Sequence, residues 1–389
     1  MKDFKMEGSK DMIGDISIKE EKSNGIKWIL LTTTLIFLIT TIIFICLYVH
    51  EKQKDKEKIS FKDLYNNIEI TDEWDKTFQK SDKVNHKKIT FHNRFGITLV
   101  GDLYEPKEKG TGKLAAIAVS GPFGAVKEQS SGLYAQNMAE RGFITLAFDP
   151  SFTGESGGLP RYLNSPDINT DDFSAAVDYL SLQENIDPEK ISIIGICGFG
   201  GFSLNAAAVD PRIKVTIVST MYDMSRVIAY GYNDVTTPEQ RYETKIALGE
   251  QRLTDYKNGF YATQGGNPDE RPGEGQPLFL QQYWDYYKTE RGYHKRSVNS
   301  NNGWITTAQL SLLNTKILAF TKEIKNAVLM IHGSLAHSLY FGQTAFQNLN
   351  GTNKEFKIIE GAYHCDLYDN VSYIPFDYIA QFINENLNK

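Results

Sequence analysis

Cysteine is scarce in this chain: its 389 residues include three cysteines, at positions 46, 197 and 365. Cys46 lies inside an apolar run, so Cys197 and Cys365 are the remaining pair that could form a disulfide bond. Nothing in their spacing suggests a disulfide framework. The cysteines therefore give no support for a disulfide-rich scaffold, and they leave the cellular compartment open.

An excess of positive charge is also missing. The 48 acidic residues outnumber the 42 Lys and Arg residues, and the net charge of −6 argues against a nucleic-acid-binding surface. The sequence has no GxxxxGK[ST] phosphate loop, no dinucleotide-binding fingerprint and no His/Cys/Asp cluster at metal-ligand spacing. We therefore expect no cofactor, no metal and no nucleic-acid partner. The length allows one large domain or two ordinary ones.

One long apolar run stands near the N-terminus, where no charged residue occurs from Trp28 to Val49. As a helix, residues 29–49 would be about 31 Å long, close to the roughly 30 Å of a bilayer core. A buried core helix is rarely apolar on all sides over this length. A cleaved signal peptide would need a small-x-small site, and a lipoprotein at Cys46 would need a small residue where Ile45 stands. We predict a transmembrane helix over residues 27–49.

The rest of the chain divides around this helix. Residues 1–26 are polar and predict a disordered tail, whereas residues 50–71 form a mixed-charge stalk or linker. Lysines flank the helix on both sides, so the sequence leaves open which side of the membrane the C-terminal domain occupies. Residues 72–389 form the globular domain.

Within this domain, apolar strands alternate with helices, which indicates a mostly parallel sheet covered by helices on both faces. The alternation begins with a predicted hairpin of two strands, 88–91 and 97–104. Residues 222–325 interrupt it and are too long for a loop. We predict that this segment is a largely helical lid over the carboxyl edge of the sheet, where binding sites of such sheets occur.

The strongest motif is a strand that runs into glycines around a single nucleophile. Residues 191–196 are apolar, Cys197 follows, and residues 205–208 are typical of a helix. This pattern predicts a nucleophile elbow with Cys197 as the catalytic nucleophile. A helix N-terminus and a nearby histidine would stabilise its thiolate. The alternative is a small cysteine buried in the core.

A base and an acid are needed to activate such a nucleophile. His364 follows the last predicted strand, which is the place of the base in the order nucleophile, acid, histidine. His332 and His337 are the rival histidines. The loop over residues 333–338 contains no carboxylate, so Asp223, after the preceding strand, is the candidate acid. A helix cap or a salt bridge is an equally good interpretation of Asp223.

Two backbone N–H groups are candidates for an oxyanion hole. Residues 120–124 follow the first parallel strand, and because Pro122 has no N–H, the donor in this loop should be Phe123. The other donor would be Gly198, directly after the nucleophile. Tight turns alone would also explain the glycines at these places.

With these residues in place, the chain resembles the α/β-hydrolase superfamily, in the dienelactone-hydrolase-like or polyketide-transferase-like branch. The resemblance extends over about residues 72–388 and implies the α/β-hydrolase fold. It is carried by residues 73–78, 93–99, 120–129, 148–151, 195–198, 219–224 and 364–369. Two residues depart from the family pattern: Ser334 stands where members often carry an acid, and Phe199 where elbows generally need a small side chain.

The sequence thus predicts a membrane-anchored hydrolase of ester, thioester or lactone bonds that uses Cys197 and His364 on a small-molecule acyl substrate. Acyl transfer to an acceptor other than water would use the same residues. An inactive hydrolase-fold protein that binds a small apolar ligand or a partner under the lid is the alternative, since Phe199 and Ser334 depart from the pattern. The sequence does not define the substrate or the oligomeric state.

Overall fold

The structure, a computed structural model, describes residues 41–45, 47, 58–60, 73–108, 110 and 112–388. The predicted tail and most of the predicted transmembrane helix and stalk lie outside these residues, although residues 41–45 are helical. Within the described ranges, no helix combines the length and apolar character needed to cross a membrane. The transmembrane helix over residues 27–49 therefore stays a prediction.

The strands follow the predicted order, with three additions: one short strand in the predicted stalk and two strands in the predicted lid. In chain order they are β1 (Lys58–Ser60), β2 (Val84–His92), β3 (Thr98–Pro106), β4 (Leu114–Ser120), β5 (Ile144–Phe148), β6 (Ile186–Ile196), β7 (Val215–Ser219), β8 (Phe260–Gln264), β9 (Trp304–Ile305), β10 (Ala327–Gly333) and β11 (Lys354–Ile359).

Eight of these strands form one sheet in the spatial order β11-β10-β7-β6-β4-β5-β3-β2. Strand β3 runs antiparallel to both β2 and β5, and the other pairs are parallel. Strands β4, β5, β7 and β10 are buried along most or all of their length, as expected when helices cover both faces, whereas β11 at the edge of the sheet is only partly buried. The predicted mostly parallel sheet is confirmed.

The helices are α1 (Ser130–Ala139), α2 (Pro166–Ser181), α3 (Gly198–Val209), α4 (Met224–Tyr230), α5 (Pro238–Asn258), α6 (Leu278–Tyr287), α7 (Val298–Asn302), α8 (Gln309–Leu313), α9 (Leu339–Asn348), α10 (Asp366–Asp369) and α11 (Phe376–Leu387).

Two apolar clusters lie on opposite faces of the sheet. Phe173 of α2 and Phe202 of α3 belong to one cluster, and Tyr134 of α1 and Phe382 of α11 belong to the other. Along β6, Ile191 and Ile193 join the first cluster, whereas Ile194 and Ile196 join the second. The period-two alternation of side chains across a strand thus divides one apolar run between both cores.

Residues 222–325, which we call the insertion, lie between β7 and β10 and contain helices α4–α8. The longest helix, α5, begins with a capping box in which the Thr237 hydroxyl accepts from the Gln240 N–H. It ends at Gly259, whose left-handed conformation (φ 68°) suits a glycine. The insertion is largely helical, with the addition of the short antiparallel pair β8–β9.

Candidate active site

Cys197 is the single residue between β6 and α3, and its backbone is strained. Its φ of 56° and ψ of −126° are rare for a residue other than glycine. Hydrogen bonds hold this conformation, because the Cys197 N–H donates to the Ser219 carbonyl and the Tyr222 N–H donates to the Cys197 carbonyl, both at 2.9 Å. A nucleophile on a strained strand-to-helix turn is the geometry of an elbow.

Phe199 fits this turn because glycine and aromatic residues surround it. A Cβ on Gly195 would lie 2.3 Å from the Phe199 carbonyl oxygen and from Ser203 Oγ, so only glycine lets α3 approach β6 here. The Phe199 ring packs against Phe202 and Phe173, with centroids 5.1 and 6.2 Å away. Phe199 is therefore a core residue, and the elbow forms with it in place.

The two predicted oxyanion-hole donors converge on the sulfur of Cys197. The backbone N–H groups of Gly198 and Phe123 both act to lower the pKa of the Cys197 thiol, so both lie beside its sulfur. A Cβ on Gly198 would lie 2.6 Å from the Phe123 Cβ, so the loop and the elbow approach closely only because residue 198 is glycine. Two donors beside a nucleophile are well placed to bind an oxyanion formed next to it.

His364 is fully buried, and three hydroxyl groups surround its ring. Its Nδ1 lies 2.6 Å from Ser338 Oγ and 2.9 Å from Thr220 Oγ1, and its Nε2 lies 2.9 Å from the Tyr368 hydroxyl. Burial lowers the pKa of His364 well below 6.5, so the ring is neutral. A neutral ring carries one N–H; if Nδ1–H donates to the Ser338 and Thr220 hydroxyls, Nε2 accepts from Tyr368.

Tyr368 connects the cysteine to the histidine. Besides its hydrogen bond with His364, its hydroxyl lies close enough to Cys197 to act to lower the pKa of the thiol. Burial nevertheless raises the pKa of Cys197, and that of Tyr368 well above 10. The stabilised thiolate expected from the sequence is therefore opposed by burial. Tyr368 was not among the predicted site residues, although its spacing of four residues from His364 suggests a shared face of a helical turn.

Asp223 does not orient His364. It caps the N-terminus of α4, where its carboxylate accepts from the Arg226 N–H at 3.0 Å and from the Ser225 hydroxyl at 2.5 Å. Among the described residues, the groups that form hydrogen bonds with the His364 ring are the hydroxyls of Thr220, Ser338 and Tyr368, and the Asp223 carboxylate is not one of them. The predicted role of Asp223 as the acid is corrected to a helix cap, the alternative that the sequence had left open.

The two rival histidines have other surroundings. His332 is fully buried, and its Nε2 accepts from the Met221 N–H at 3.0 Å, which fixes the end of β10 beside β7. His337 stacks on Phe279 with ring centroids 4.2 Å apart, and its centroid lies 5.0 Å from that of His364. Burial lowers the pKa of His332 to about 3 and that of His337 to about 4.

Helix α6 of the insertion carries tyrosines that lie over Cys197 and His364. The Tyr283 ring lies 5.5 Å from His364, and the Tyr286 ring lies 5.0 Å from Tyr368. Cys197 retains only 6% exposure beneath them. The insertion thus lies over Cys197 and His364, as the predicted lid would.

A cluster of charged side chains lies next to the loop over residues 120–124, which carries Phe123. Lys127 is fully buried and lies 2.6 Å from a carboxylate oxygen of Glu128 and 2.9 Å from one of Asp149; it also pairs with Glu155. Arg296 of the insertion adds a contact of 2.8 Å to Glu128. We call these five residues the Lys127 cluster. They hold the loop that carries Phe123 in place before any ligand arrives.

Comparison with known proteins reveals a relative of similar size. The chain is 57% identical over 321 residues to the Pseudomonas aeruginosa protein PA2218, covering 82% of this chain and 86% of that protein. The crystal structure of PA2218 superimposes with a TM-score of 0.80 over 82% of this chain and 99% of that one. Escherichia coli YcjY is 32% identical over 312 residues, which cover 78% of this chain and 99% of YcjY.

Other similarities connect the chain to hydrolases by name. The α/β hydrolase GrgF from Penicillium sp. sh18 shares the fold, with a TM-score of 0.64 at 20% identity over 78% of this chain and all of that one. The thiohydrolase aneE of Aspergillus aculeatus is 33% identical over 132 residues, or 34% of this chain and 40% of aneE. No family model matches the sequence. The chain therefore belongs to the same family as PA2218 and YcjY, and its fold is that of the α/β hydrolases.

Proposed function

We propose that this α/β-fold hydrolase cleaves carboxylic ester, thioester or lactone bonds, with Cys197 as nucleophile and His364 as base. The observation that carries the proposal is the convergence of the Gly198 and Phe123 N–H groups on the sulfur at a strained elbow. The partial match to a thiohydrolase supports a thioester among these substrates.

Because the thiol and the imidazole are both neutral at rest, the proton moves during attack. The Cys197 sulfur bonds to the acyl carbon while its proton passes to the Tyr368 oxygen, and Tyr368 gives its own proton to His364 Nε2. The carbonyl oxygen becomes an oxyanion held by the two N–H groups. When the tetrahedral intermediate collapses, the leaving group departs with the proton returned through Tyr368. Water then hydrolyses the acyl-enzyme by the same sequence of steps.

Two hydroxyl groups take the place of the usual acid. Ser338 and Thr220 hold His364 Nδ1 and so keep Nε2 directed at Tyr368. They stabilise an imidazolium less than a carboxylate would. A thiol is more acidic than a serine hydroxyl, so it requires a less basic imidazole.

The proposal is tested by measuring turnover of short-chain aryl esters and thioesters by the full chain. We expect Cys197→Ala and His364→Ala each to lower kcat/KM by about 10³-fold or more. Cys365→Ala is the matched control, since Cys365 is equally buried and free but contacts neither donor in this mechanism. Turnover that survives in Cys197→Ala would overturn the role of the nucleophile.

Membrane anchoring is the second part of the proposal and depends on the uncharged run from Trp28 to Val49. An apolar helix of this length is expected to span a bilayer and to tether the hydrolase domain through the stalk over residues 50–71. Membranes washed with alkaline carbonate should retain the full chain and release a variant that lacks residues 28–49. Equal release of both would refute the anchor.

A second candidate function is binding without catalysis, and one observation favours it: burial raises the pKa of Cys197, so the closed site holds no ready thiolate. Mass spectrometry of the chain mixed with an activated aryl ester separates the two functions. An acyl adduct on Cys197 supports catalysis. If the ester binds under the insertion but neither an adduct nor turnover appears, the chain is a ligand-binding protein.

A further inference from the structure

We propose that a second cavity, of about 960 Å³, binds a small organic molecule that carries several negative charges. This volume lies within the usual range for small-molecule sites, about 300–1,000 Å³. The cavity lies between helix α4, the start of α5, the segment from 313 to 322 and the end of α9. Cys197, His364 and Tyr368 do not line it, so it is separate from the site of the proposed reaction.

The charged residues that line the cavity are mostly basic, although the chain as a whole has a net negative charge. Five of the lining side chains are cationic: Arg226, Arg241, Lys245, Lys316 and Lys322. Two acidic residues also line it, but Asp234 pairs with Arg226 at 2.9 Å and Asp223 caps helix α4. In the part of the chain that the structure describes, the other four cations form no ion pair. Lys245, Lys316 and Lys322 are exposed to solvent, and Arg241 is attracted by the carboxylate of Glu239. Four cations without a close ion pair around one cavity nevertheless favour an anion with more than one charge.

Arg241 gives the most specific indication of an anion. Its Nη1 is buried and has no hydrogen-bond acceptor among the described residues, and its guanidinium lies 5.0 Å from the Tyr230 ring centroid. A buried donor without an acceptor loses its hydration and gains nothing in return. A bound phosphate or carboxylate would supply the missing acceptor, because the planar guanidinium matches either group with two parallel hydrogen bonds.

The remaining lining defines the rest of the ligand. Leu313, Leu318 and Tyr230 give the cavity an apolar side, so the ligand should have a carbon skeleton as well as its anionic groups. Phosphate esters and polycarboxylates share this chemistry. Such a ligand would bridge α4 and α5 of the insertion to Asn348 on α9 of the main domain and restrain the insertion.

The experiment is calorimetric titration of the full chain with pyrophosphate and, separately, with citrate at low ionic strength. No turnover is measured, so its outcome does not depend on the proposed hydrolase activity. We expect Arg241→Gln/Lys245→Gln to weaken binding by roughly tenfold or more, since the double change removes two charged hydrogen-bond donors from the cavity. The control, Lys113→Gln/Lys295→Gln, removes the same charge from exposed positions outside the cavity and should change affinity by less than about twofold.

The two titrants distinguish the sources of negative charge. Tighter binding of pyrophosphate assigns the cavity to phosphate compounds, whereas tighter binding of citrate assigns it to polycarboxylates. The proposal is overturned if neither anion binds at millimolar concentration, or if the Arg241/Lys245 variant binds as tightly as the lysine control. Thermal unfolding of both variants without ligand verifies that they remain folded.

Discussion

Two buried polar regions, one around Cys197 and one around Lys127, lie near the loop over residues 120–124. Their side chains are neutral in the first region and charged in the second. Around Cys197, the thiol, the imidazole of His364 and the hydroxyl of Tyr368 are neutral. Burial raises the pKa of the thiol and of the Tyr368 hydroxyl and lowers that of the imidazole. In the Lys127 cluster, burial coexists with full charge because a cation lies against several carboxylates. Charge is thus retained where it is paired, and in the proposed mechanism the groups around Cys197 stay neutral until a substrate binds.

The largest effect should follow from removing the cation of the charged region. Lys127→Met leaves Glu128, Asp149 and Glu155 buried with fewer partners, and we expect a loss of about 3–5 kcal/mol in the free energy of unfolding. Urea denaturation measures it. The control, Lys113→Met, changes an exposed lysine and should cost less than about 0.5 kcal/mol. A loss below about 1 kcal/mol for Lys127→Met would show that the charges are not mutually dependent.

In the neutral region, the sharpest change is Tyr368→Phe, which removes the hydroxyl between Cys197 and His364. We expect kcat for ester hydrolysis to fall by about 100-fold, with little change in KM, since the loss affects proton transfer rather than binding.

Tyr104→Phe is the control for this change. Tyr104 is fully buried too, and its hydroxyl has no hydrogen-bond partner among the described residues. The kcat of the Tyr104→Phe variant should equal that of the unaltered chain. Equal kcat values for both variants would mean that Tyr368 carries no proton.

The neutral histidines predict a specific dependence of stability on pH. His332 has a folded-state pKa of about 3, below the 6.5 of an unperturbed histidine, so the unfolded chain binds its proton first. Its contribution to stability is therefore full above pH 6.5 and is lost as the pH falls toward 3.

The size of this dependence can be measured by denaturation between pH 6 and pH 4. We expect the slope of unfolding free energy against pH to decrease by about 1.4 kcal/mol per pH unit in His332→Asn. His92→Asn, at an exposed histidine, should leave the slope unchanged. An unchanged slope in His332→Asn would mean that His332 is already charged in the folded protein.

The smallest effect should come from the hydroxyls that replace the acid. Ser338→Ala removes the shorter contact to His364 Nδ1 and leaves Thr220 in place, so we expect kcat to fall by roughly fivefold, about 1 kcal/mol. The double variant Ser338→Ala/Thr220→Val leaves Nδ1 without a partner and should lose more than the product of the two single changes. Independent, multiplicative losses would show that the hydroxyls do not share one role.

Chain order and local pattern were enough to predict much of this molecule. Apolar strands separated by helices predicted the sheet, and glycines after a β-branched run predicted the turn at Cys197. The approach of Gly198 and Phe123 to the sulfur follows from the same reasoning, because consecutive parallel strands end at one edge. These features depend on neighbours along the chain or on the general topology of parallel sheets.

What escaped prediction depends on side-chain contacts between segments far apart in sequence. No local pattern shows that Thr220 and Ser338 meet at one ring, or that burial reverses the expected pKa of Cys197. Asp223 was predicted to be the acid because the loop over residues 333–338 contains no carboxylate, but its side chain caps the N-terminus of α4 instead. The pair β8–β9 is too short to show a period.

The segment that follows β7 also constrains how this protein can change. Four consecutive residues engage three neighbours. Ser219 and Tyr222 hold the backbone of Cys197, the Thr220 hydroxyl contacts His364, and the Met221 N–H donates to His332. Deleting one residue here would displace every later contact by one position. The length of this stretch should therefore tolerate no variation.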